Sequence, residues 1–413
     1  MKKFFKIFSV CILFLSTIFF TSCMFISSSL PSVYYATEKS EMVLSGAVPL
    51  KIRPSNNSKS LNTNCSCNSS NYFPGSVTFL NFLPIKTVQI DIVEENQVVP
   101  CGTPFGIKLF TEGVMVIGTS NVKTQQGNAN PAKQSGIKKG DVITKINDYQ
   151  IKSNEDLAYM VENSSGKPLS VSITRGNITF DTSLTPVKPV NEDMYRVGIW
   201  VRDSSAGIGT ITFYNVKNSS FSGLGHGICD IDTGELLPLS HGDIMEASIN
   251  GVNRGTRGAP GELKGYFVNQ KPIGKLKANT ETGVYGTLDK VPSNSKAVKI
   301  AMKQQVKPGP AYVLTTLHDE VPKSYSINIE SINYNENNPT KNILISITDN
   351  ELLEKTGGIV QGMSGSPIIQ NGMLIGAVTH VFINEPNKGF AIFAETMLTN
   401  SNNYFGITNK NVS

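Results

Sequence analysis

Charge is scarce in this 413-residue chain, where 17% of residues are Asp, Glu, Lys or Arg, 37 of them basic and 32 acidic. Of the net +5, three charges belong to Lys2, Lys3 and Lys6, ahead of the first apolar run, so +2 remains for everything else. A surface that neutralises phosphates needs dense basic patches, and no nucleic-acid partner is expected. Cysteine is scarce too. Cys11 and Cys23 fall in the apolar run, leaving Cys65, Cys67, Cys101 and Cys229. Four over this length do not make a disulfide framework. Cys65 and Cys67, one serine apart and without a neighbouring histidine, offer neither an easy mutual bridge nor a zinc site. No cofactor and no metal are expected. The chain has no βα alternation and no repeat of 20–50 residues, which argues against a doubly wound sheet and a solenoid.

One long uncharged run is present. Residues 7–26 carry no charge and as a helix reach about 30 Å, the thickness of a bilayer's hydrocarbon core. The lysines before it keep the N-terminus cytoplasmic and send the rest across the membrane. A retained anchor over residues 1–26 is the preferred reading; cleavage as a signal peptide and lipid attachment at Cys23 are the alternatives. Between residues 51 and 72, 12 of 22 positions are Ser or Asn, too polar to fold alone, so 27–72 is read as a flexible tether. A short β segment is expected over 73–97.

From 98 to 186 the pattern is mixed. Val114-Met115-Val116-Ile117 and residues 141–146 read as strands, Leu169-Ser170-Val171-Ser172-Ile173 as another. Between them Ser153 caps a helix, with Asp156 three positions on and Leu157, Met160 and Val161 on one face. Pro104-Phe105-Gly106-Ile107 and Ser135-Gly136-Ile137-Lys138-Lys139-Gly140-Asp141 make this segment resemble a PDZ domain. The resemblance implies that backbone N–H groups of Phe105, Gly106 and Ile107 receive a peptide's terminal carboxylate while the peptide adds a strand to the sheet. From 187 to 413 short alternating runs dominate, among them Val197/Ile199/Val201, Ile327/Ile329 and Ile343/Ile345/Ile347. Asn371-Gly372 marks a hairpin, and residues 393–398 a late helix. An all-β barrel or pair of barrels is expected.

Gly362-Met363-Ser364-Gly365-Ser366-Pro367 is the most informative hexapeptide. A serine in a glycine-bounded turn presents its hydroxyl while backbone N–H groups point at an oxyanion. It resembles the nucleophile motif of chymotrypsin-like serine peptidases, which implies an oxyanion hole from the N–H groups of Gly362 and Ser364. Its glycine spacing and the missing βα alternation disfavour an α/β-hydrolase elbow. A serine hydroxyl needs a base, and the four histidines are His226, His241, His318 and His380. His226, in Gly223-Leu224-Gly225-His226-Gly227, is the preferred base. His380, 16 residues after Ser364, is a candidate for the specificity pocket; His241 and His318 read as loop or structural residues. For the acid that fixes the imidazole tautomer, Asp230, Asp243, Asp289, Asp319 and Asp349 are all open.

Over nearly its whole length the chain resembles the sporulation stage IV protein B family, membrane-tethered serine peptidases with a PDZ domain. The residues that carry this are Phe221-Ser222-Gly223-Leu224-Gly225-His226-Gly227, Lys264-Gly265, Thr282-Gly283 with Gly286-Thr287, and residues 352–367 around Ser364. The resemblance implies His226 as base, Ser364 as nucleophile and Asp349 as acid. It also implies a signalling enzyme of endospore formation, extracytoplasmic on the forespore side of the space between forespore and mother-cell membranes. Such an enzyme cleaves itself and then a membrane-bound regulator of an intramembrane metalloprotease, within a sigma-factor activation pathway. The expected architecture is mainly β: an N-terminal membrane helix, a PDZ domain (α+β), then a chymotrypsin-like double β-barrel. The rival reading is a catalytically silent PDZ adaptor that binds protein termini.

Overall fold

The structure, a computed structural model, describes residues 2–36, 43–44, 50–54, 72–93, 95–290, 296–319 and 321–406. Helix α1 (Lys2–Ser29) leads within three residues into strand β1 (Val33–Ala36). With β2 (Val43–Leu44), β3 (Leu50–Pro54), β4 (Tyr72–Phe79) and β5 (Leu83–Ile92) it forms a five-stranded sheet in the order β1-β5-β4-β3-β2. The tether reading therefore fails for β1, β2 and β3, whose backbone groups are paired into this sheet. Most of the Ser/Asn tract, with Cys65 and Cys67, lies outside the described residues.

Next come β6 (Gln97–Pro100), the 16-residue β7 (Pro104–Thr119), a small hairpin of β8 (Val122–Thr124) and β9 (Gly127–Ala129), α2 (Pro131–Gln134), β10 (Val142–Ile146), β11 (Tyr149–Gln150), α3 (Asn154–Glu162), β12 (Leu169–Arg175) and β13 (Ile178–Leu184). α3 begins with a capping box in which Ser153 accepts from the Asp156 N–H and the Asp156 carboxylate accepts from the Ser153 N–H, as the S-x-x-D spacing predicts. The 17-residue β14 (Ile199–Asn215) follows, then β15 (Ser220–Gly223), β16 (Leu239–Asn253), β17 (Glu262–Phe267), β18 (Gly274–Thr280), β19 (Gly283–Leu288) and β20 (Val298–Lys299).

Strands β7 and β14 each belong to two bodies. Residues 104–111 of β7 pair with β14 on one side and β16 on the other, and the circuit β7-β16-β18-β19-β15-β14 closes a six-stranded barrel around Phe105, Leu109, Phe221 and Ile244. β7 bends at Gly113, which takes a left-handed φ of +81 and where a Cβ would stand 2.4 Å from the Ile143 carbonyl oxygen so that only glycine fits, and β14 breaks register opposite, between Arg202 and Ser204. Beyond the bend β7 pairs with β10 and the start of β14 around a separate core of Val116, Ile143, Leu157 and Ile173. This is the PDZ body, and it is an excursion from the first barrel. The linear order of PDZ domain then peptidase, with boundaries at 98, 186 and 187, is corrected accordingly, since the first peptidase strand precedes the PDZ core.

The second barrel is β21 (Gly309–Thr315), β22 (Lys323–Ile332), β23 (Ile343–Ile347), β24 (Pro367–Gln370), β25 (Met373–Phe382) and β26 (Glu385–Phe393), closed in the order β21-β22-β23-β26-β25-β24. α4 (Asn350–Thr356) precedes the serine motif and α5 (Ala394–Tyr404) follows β26. Asn371 (φ +52) and Gly372 (φ +75) form the tight β24–β25 turn. Phe213 and Tyr285 of the first barrel pack against Leu374, Ala377 and Ile392 of the second, joining the two. The N-terminal sheet adds Tyr34 and Ile90 to the second barrel's core.

Candidate active site at the junction of the two barrels

Ser364 sits in a turn held from inside. Met363 is fully buried, its N–H donates to the Val360 carbonyl at 3.1 Å, and the Ser366 N–H donates back to the Met363 carbonyl at 2.9 Å. Gly365 (φ +95) lies so close to the first barrel that a Cβ would stand 2.1 Å from the Thr210 carbonyl oxygen; only glycine fits. The N–H groups of Gly362 and Ser364 have no acceptor among the described residues, leaving both donors spare beside the hydroxyl. The Ser364 hydroxyl itself donates to the Thr379 carbonyl at 3.2 Å.

His226 follows β15 through a bend made by Leu224 (φ +63) and Gly225 (φ +70). Leucine resists that conformation, and its buried side chain in the first barrel holds it there. Nδ1 of His226 lies 2.8 Å from the Gly227 carbonyl, which only accepts, so Nδ1 carries the proton and Nε2 is the basic nitrogen. Burial lowers the His226 pKa from its ordinary 6.5, and the Gly227 carbonyl opposes this weakly.

Ser364, His226, Gly362 and His380 line one cavity of about 510 Å³ between the barrels, whose other walls include Ile228, Ile359, Val360 and Val381. The rings of His226 and His380 lie 5.5 Å apart. Burial in the cleft, with like charge from His226 and then Lys341, pushes His380 down to about 4. His318 pairs with Asp319 at 2.7 Å on the surface, and His241 is not in a loop but on β16, stacked on Phe110 at 4.5 Å.

No candidate aspartate meets His226. Asp349 caps α4: one carboxylate oxygen accepts from the Leu352 N–H at 3.0 Å and the other from the Ser326 N–H at 3.3 Å. Asp230 is committed to Arg202 and to the Asp232 and Thr233 amides, Asp243 to Lys275, and Asp319 to His318. Asp289 stands just past β19, away from the cavity lining. The expectation that Asp349 touches the imidazole is corrected, because its two oxygens accept from backbone N–H groups of α4 and β22.

Phe105, Gly106 and Ile107 are corrected as well. They lie mid-strand in β7 with β14 and β16 on either side, and Phe105 is fully buried, so their amides belong to the barrel and do not form a carboxylate-binding loop. The strand that borders the PDZ helix is the start of β14. A groove of about 630 Å³ runs between Ile199, Trp200 and Val201 on that strand and Leu157, Ala158 and Val161 on α3.

Two positioning residues escaped sequence reading. The Thr210 hydroxyl donates to the Gly362 carbonyl at 2.7 Å, its N–H donates to the Ser364 carbonyl at 3.1 Å, and its carbonyl accepts from the Leu224 N–H at 3.2 Å. One buried threonine thus joins the serine loop to the histidine loop. Asn279 accepts from the Ile228 N–H at 2.8 Å and donates to the Ile228 and Leu237 carbonyls at 2.9 Å, fixing the chain just past His226. Nothing in one sequence marks either; each acts through contacts at long separation.

Among the described residues no cluster of three or more His, Cys, Asp or Glu side chains is arranged to hold a metal. Among curated proteins, a putative zinc metalloprotease of Clostridium acetobutylicum is 32% identical over 69 residues, 17% of this chain and 20% of that protein, so the chain spans about a fifth of that relative's length. Among solved structures, the PDZ domain of the SdrC-like protein of Listeria monocytogenes is 20% identical, with 22% of this chain and 87% of that one covered and a TM-score of 0.18. An inactive serine-to-alanine form of Rv3671c from M. tuberculosis H37Rv is 13% identical, with 50% and 84% covered and a TM-score of 0.28. The family description "SpoIVB peptidase S55" matches residues 193–398, over β14 to α5, and that of a PDZ domain matches 109–185. With two closed barrels meeting at Ser364 and His226 and a PDZ body carried between two strands of the first, the chain belongs to the SpoIVB peptidase S55 family of serine peptidases.

Proposed function

We propose that the chain is a membrane-tethered serine endopeptidase in which Ser364 attacks the scissile carbonyl and His226 Nε2 takes its proton. Rotation about the Ser364 Cα–Cβ bond moves the hydroxyl from the Thr379 carbonyl toward the imidazole. The Gly227 carbonyl holds the required tautomer, and the N–H groups of Gly362 and Ser364 receive the developing oxyanion. The observation that carries this reading is the meeting of Ser364, His226 and two spare amides at one cavity. A fluorophosphonate should label the wild-type chain and neither Ser364→Ala nor His226→Ala; equal labelling of all three removes the assignment. His380 faces the same cavity and is neutral near pH 7, so it selects the residue before the cut by shape and hydrogen bonding rather than charge. His380→Ala should change the cleavage preference, and an unchanged substrate profile at normal rate ends that role.

The finer reading is a signalling peptidase of endospore formation, extracytoplasmic, that cleaves itself and a membrane-bound regulator. The apolar helix and the family support it. The α3–β14 groove supports capture of an extended peptide terminus, since it offers a strand edge beside an apolar helix face. Incubating the purified chain and mapping its fragments by mass spectrometry tests self-cleavage; a chain that stays intact, in molecules that label at Ser364, overturns that part alone. One observation favours the adaptor reading: the Ser364 hydroxyl rests on the Thr379 carbonyl and, among the described residues, no carboxylate backs His226. Absence of labelling in the wild-type chain would select it.

A further inference from the structure

The β4–β5 turn holds two large apolar side chains in the open, Leu80 at 53% and Phe82 at 74% exposure. It is closed by the Phe82 N–H donating to the Phe79 carbonyl at 3.2 Å, with Leu80 (φ +47) and Asn81 (φ +69) both left-handed. Turns of this kind favour asparagine and glycine; leucine is disfavoured there, so turn geometry does not account for it. The apolar tip has no folding role on its exposed side.

Its position relative to α1 is informative. β1 runs parallel to β5 with Val33 opposite Gln89, and Lys86 donates to the Leu30 carbonyl. From that level β5 runs back beside the helix, so Leu83 lies about 10 Å nearer the N-terminal half at roughly 3.3 Å per strand residue. That equals about seven helical residues at roughly 1.5 Å each. Burial follows the same track: Cys23, Ile26, Ser27 and Ser29 are partly covered, whereas residues 6–22 are exposed throughout. The apolar span covers 24 residues, Lys6–Ser29, about 36 Å, which exceeds the hydrocarbon core of roughly 30 Å. A bilayer that covers the last apolar turns of α1 therefore reaches the hairpin tip beside them. Two cations flank the tip on the neighbouring strand β3. Lys51 and Arg53 are exposed, and Arg53 Nε donates to the Asn81 side chain at 3.0 Å.

We propose that this turn is a second membrane contact, with Leu80 and Phe82 in the interfacial layer of the bilayer that holds α1 and Lys51 and Arg53 at the level of anionic headgroups. The proposal rests on the reading of α1 as membrane-inserted. Attachment at two points stops the barrels from swivelling about the end of α1 and sets the height of the cleft above the lipid.

The test uses the full chain in vesicles of mixed phosphatidylcholine and phosphatidylglycerol. Trp200, the one tryptophan, is replaced in Trp200→Phe, and a reporter is placed by Phe82→Trp or, in a separate chain, Leu15→Trp. The expected result is quenching of the position-82 reporter by lipids brominated close to the glycerol, and of the position-15 reporter by lipids brominated near mid-chain. Quenching at 15 with none at 82 overturns the hairpin contact and leaves the anchor standing. A position-82 reporter shielded from aqueous iodide yet unquenched by lipid points to a second copy as the covering surface and also overturns it. No quenching at 15 removes the anchor reading itself.

Discussion

As the proposed base, His226 must be neutral to accept a proton, and burial favours that form. Because its pKa lies below 6.5, the acid limb of kcat/KM should fall below that pH, with a plateau through neutrality, measured on a peptide substrate whose own charge does not change. A limb centred at or above 7 would contradict the burial seen here. Stability responds with the same sign. At His380 the unfolded chain binds more protons than the folded one between about pH 4 and the unperturbed 6.5, so its contribution rises with pH through that window and is lost as pH falls, and His226, lowered in the same direction, acts with the same sign below 6.5. Asp349 gives a second test. Asparagine caps helices about as well as aspartate, whereas alanine costs about 0.5–2 kcal/mol. Asp349→Asn should therefore keep activity within a few-fold while Asp349→Ala lowers the melting temperature. A tautomer-fixing acid would instead lose about 10⁴ in rate on conversion to asparagine.

Strand β14 connects the two functional regions. Its first residues form one wall of the α3 groove, and Thr210, further along, holds the carbonyls of Gly362 and Ser364. Thr210→Val removes the hydroxyl at nearly constant volume and leaves the Gly362 carbonyl without its partner, a change worth about 1–3 kcal/mol. If that is felt in the transition state, kcat should fall about tenfold or more with KM little changed, and Thr210→Ser should recover most of it. Equal loss in both variants, tracking the melting temperature, would mean a structural effect only. β7 and β14 also show why the boundary between the PDZ body and the first barrel is not legible in the sequence. Residues 104–119 and 199–215 each form one unbroken strand, and a one-dimensional pattern does not reveal that such a strand enters two cores.

Taken whole, the molecule is fastened at its N-terminus as well as at its centre. Tyr34 is fully buried between the five-stranded sheet and the second barrel, its ring 5.6 Å from Lys303 Nζ, and Lys303 pairs with the buried Glu395 at 3.5 Å. Burial raises the Glu395 pKa, with Lys303 opposing. Tyr34→Ala should cost about 3–5 kcal/mol by analogy with other large core aromatics and free the sheet for proteolysis. The Tyr34 hydroxyl has no partner among the described residues, so Tyr34→Phe should leave the melting temperature unchanged or raised. A large loss from Tyr34→Phe would reveal a hydrogen bond to the hydroxyl.

Local pattern was enough to mark the apolar helix, the capped α3, the Asn371-Gly372 turn, the β-rich second half, and Ser364 and His226 as the pair to examine. Those features depend on residues a few positions apart, where propensity and side-chain periodicity act directly. Tertiary contact alone decided that 33–36 and 50–54 join a sheet, that residues 105–107 belong to a barrel, that Asp349 holds a helix end, and that Thr210 bridges the Ser364 and His226 loops. Each depends on which backbone donor or acceptor a distant strand brings within reach, and that is set by packing across the cores.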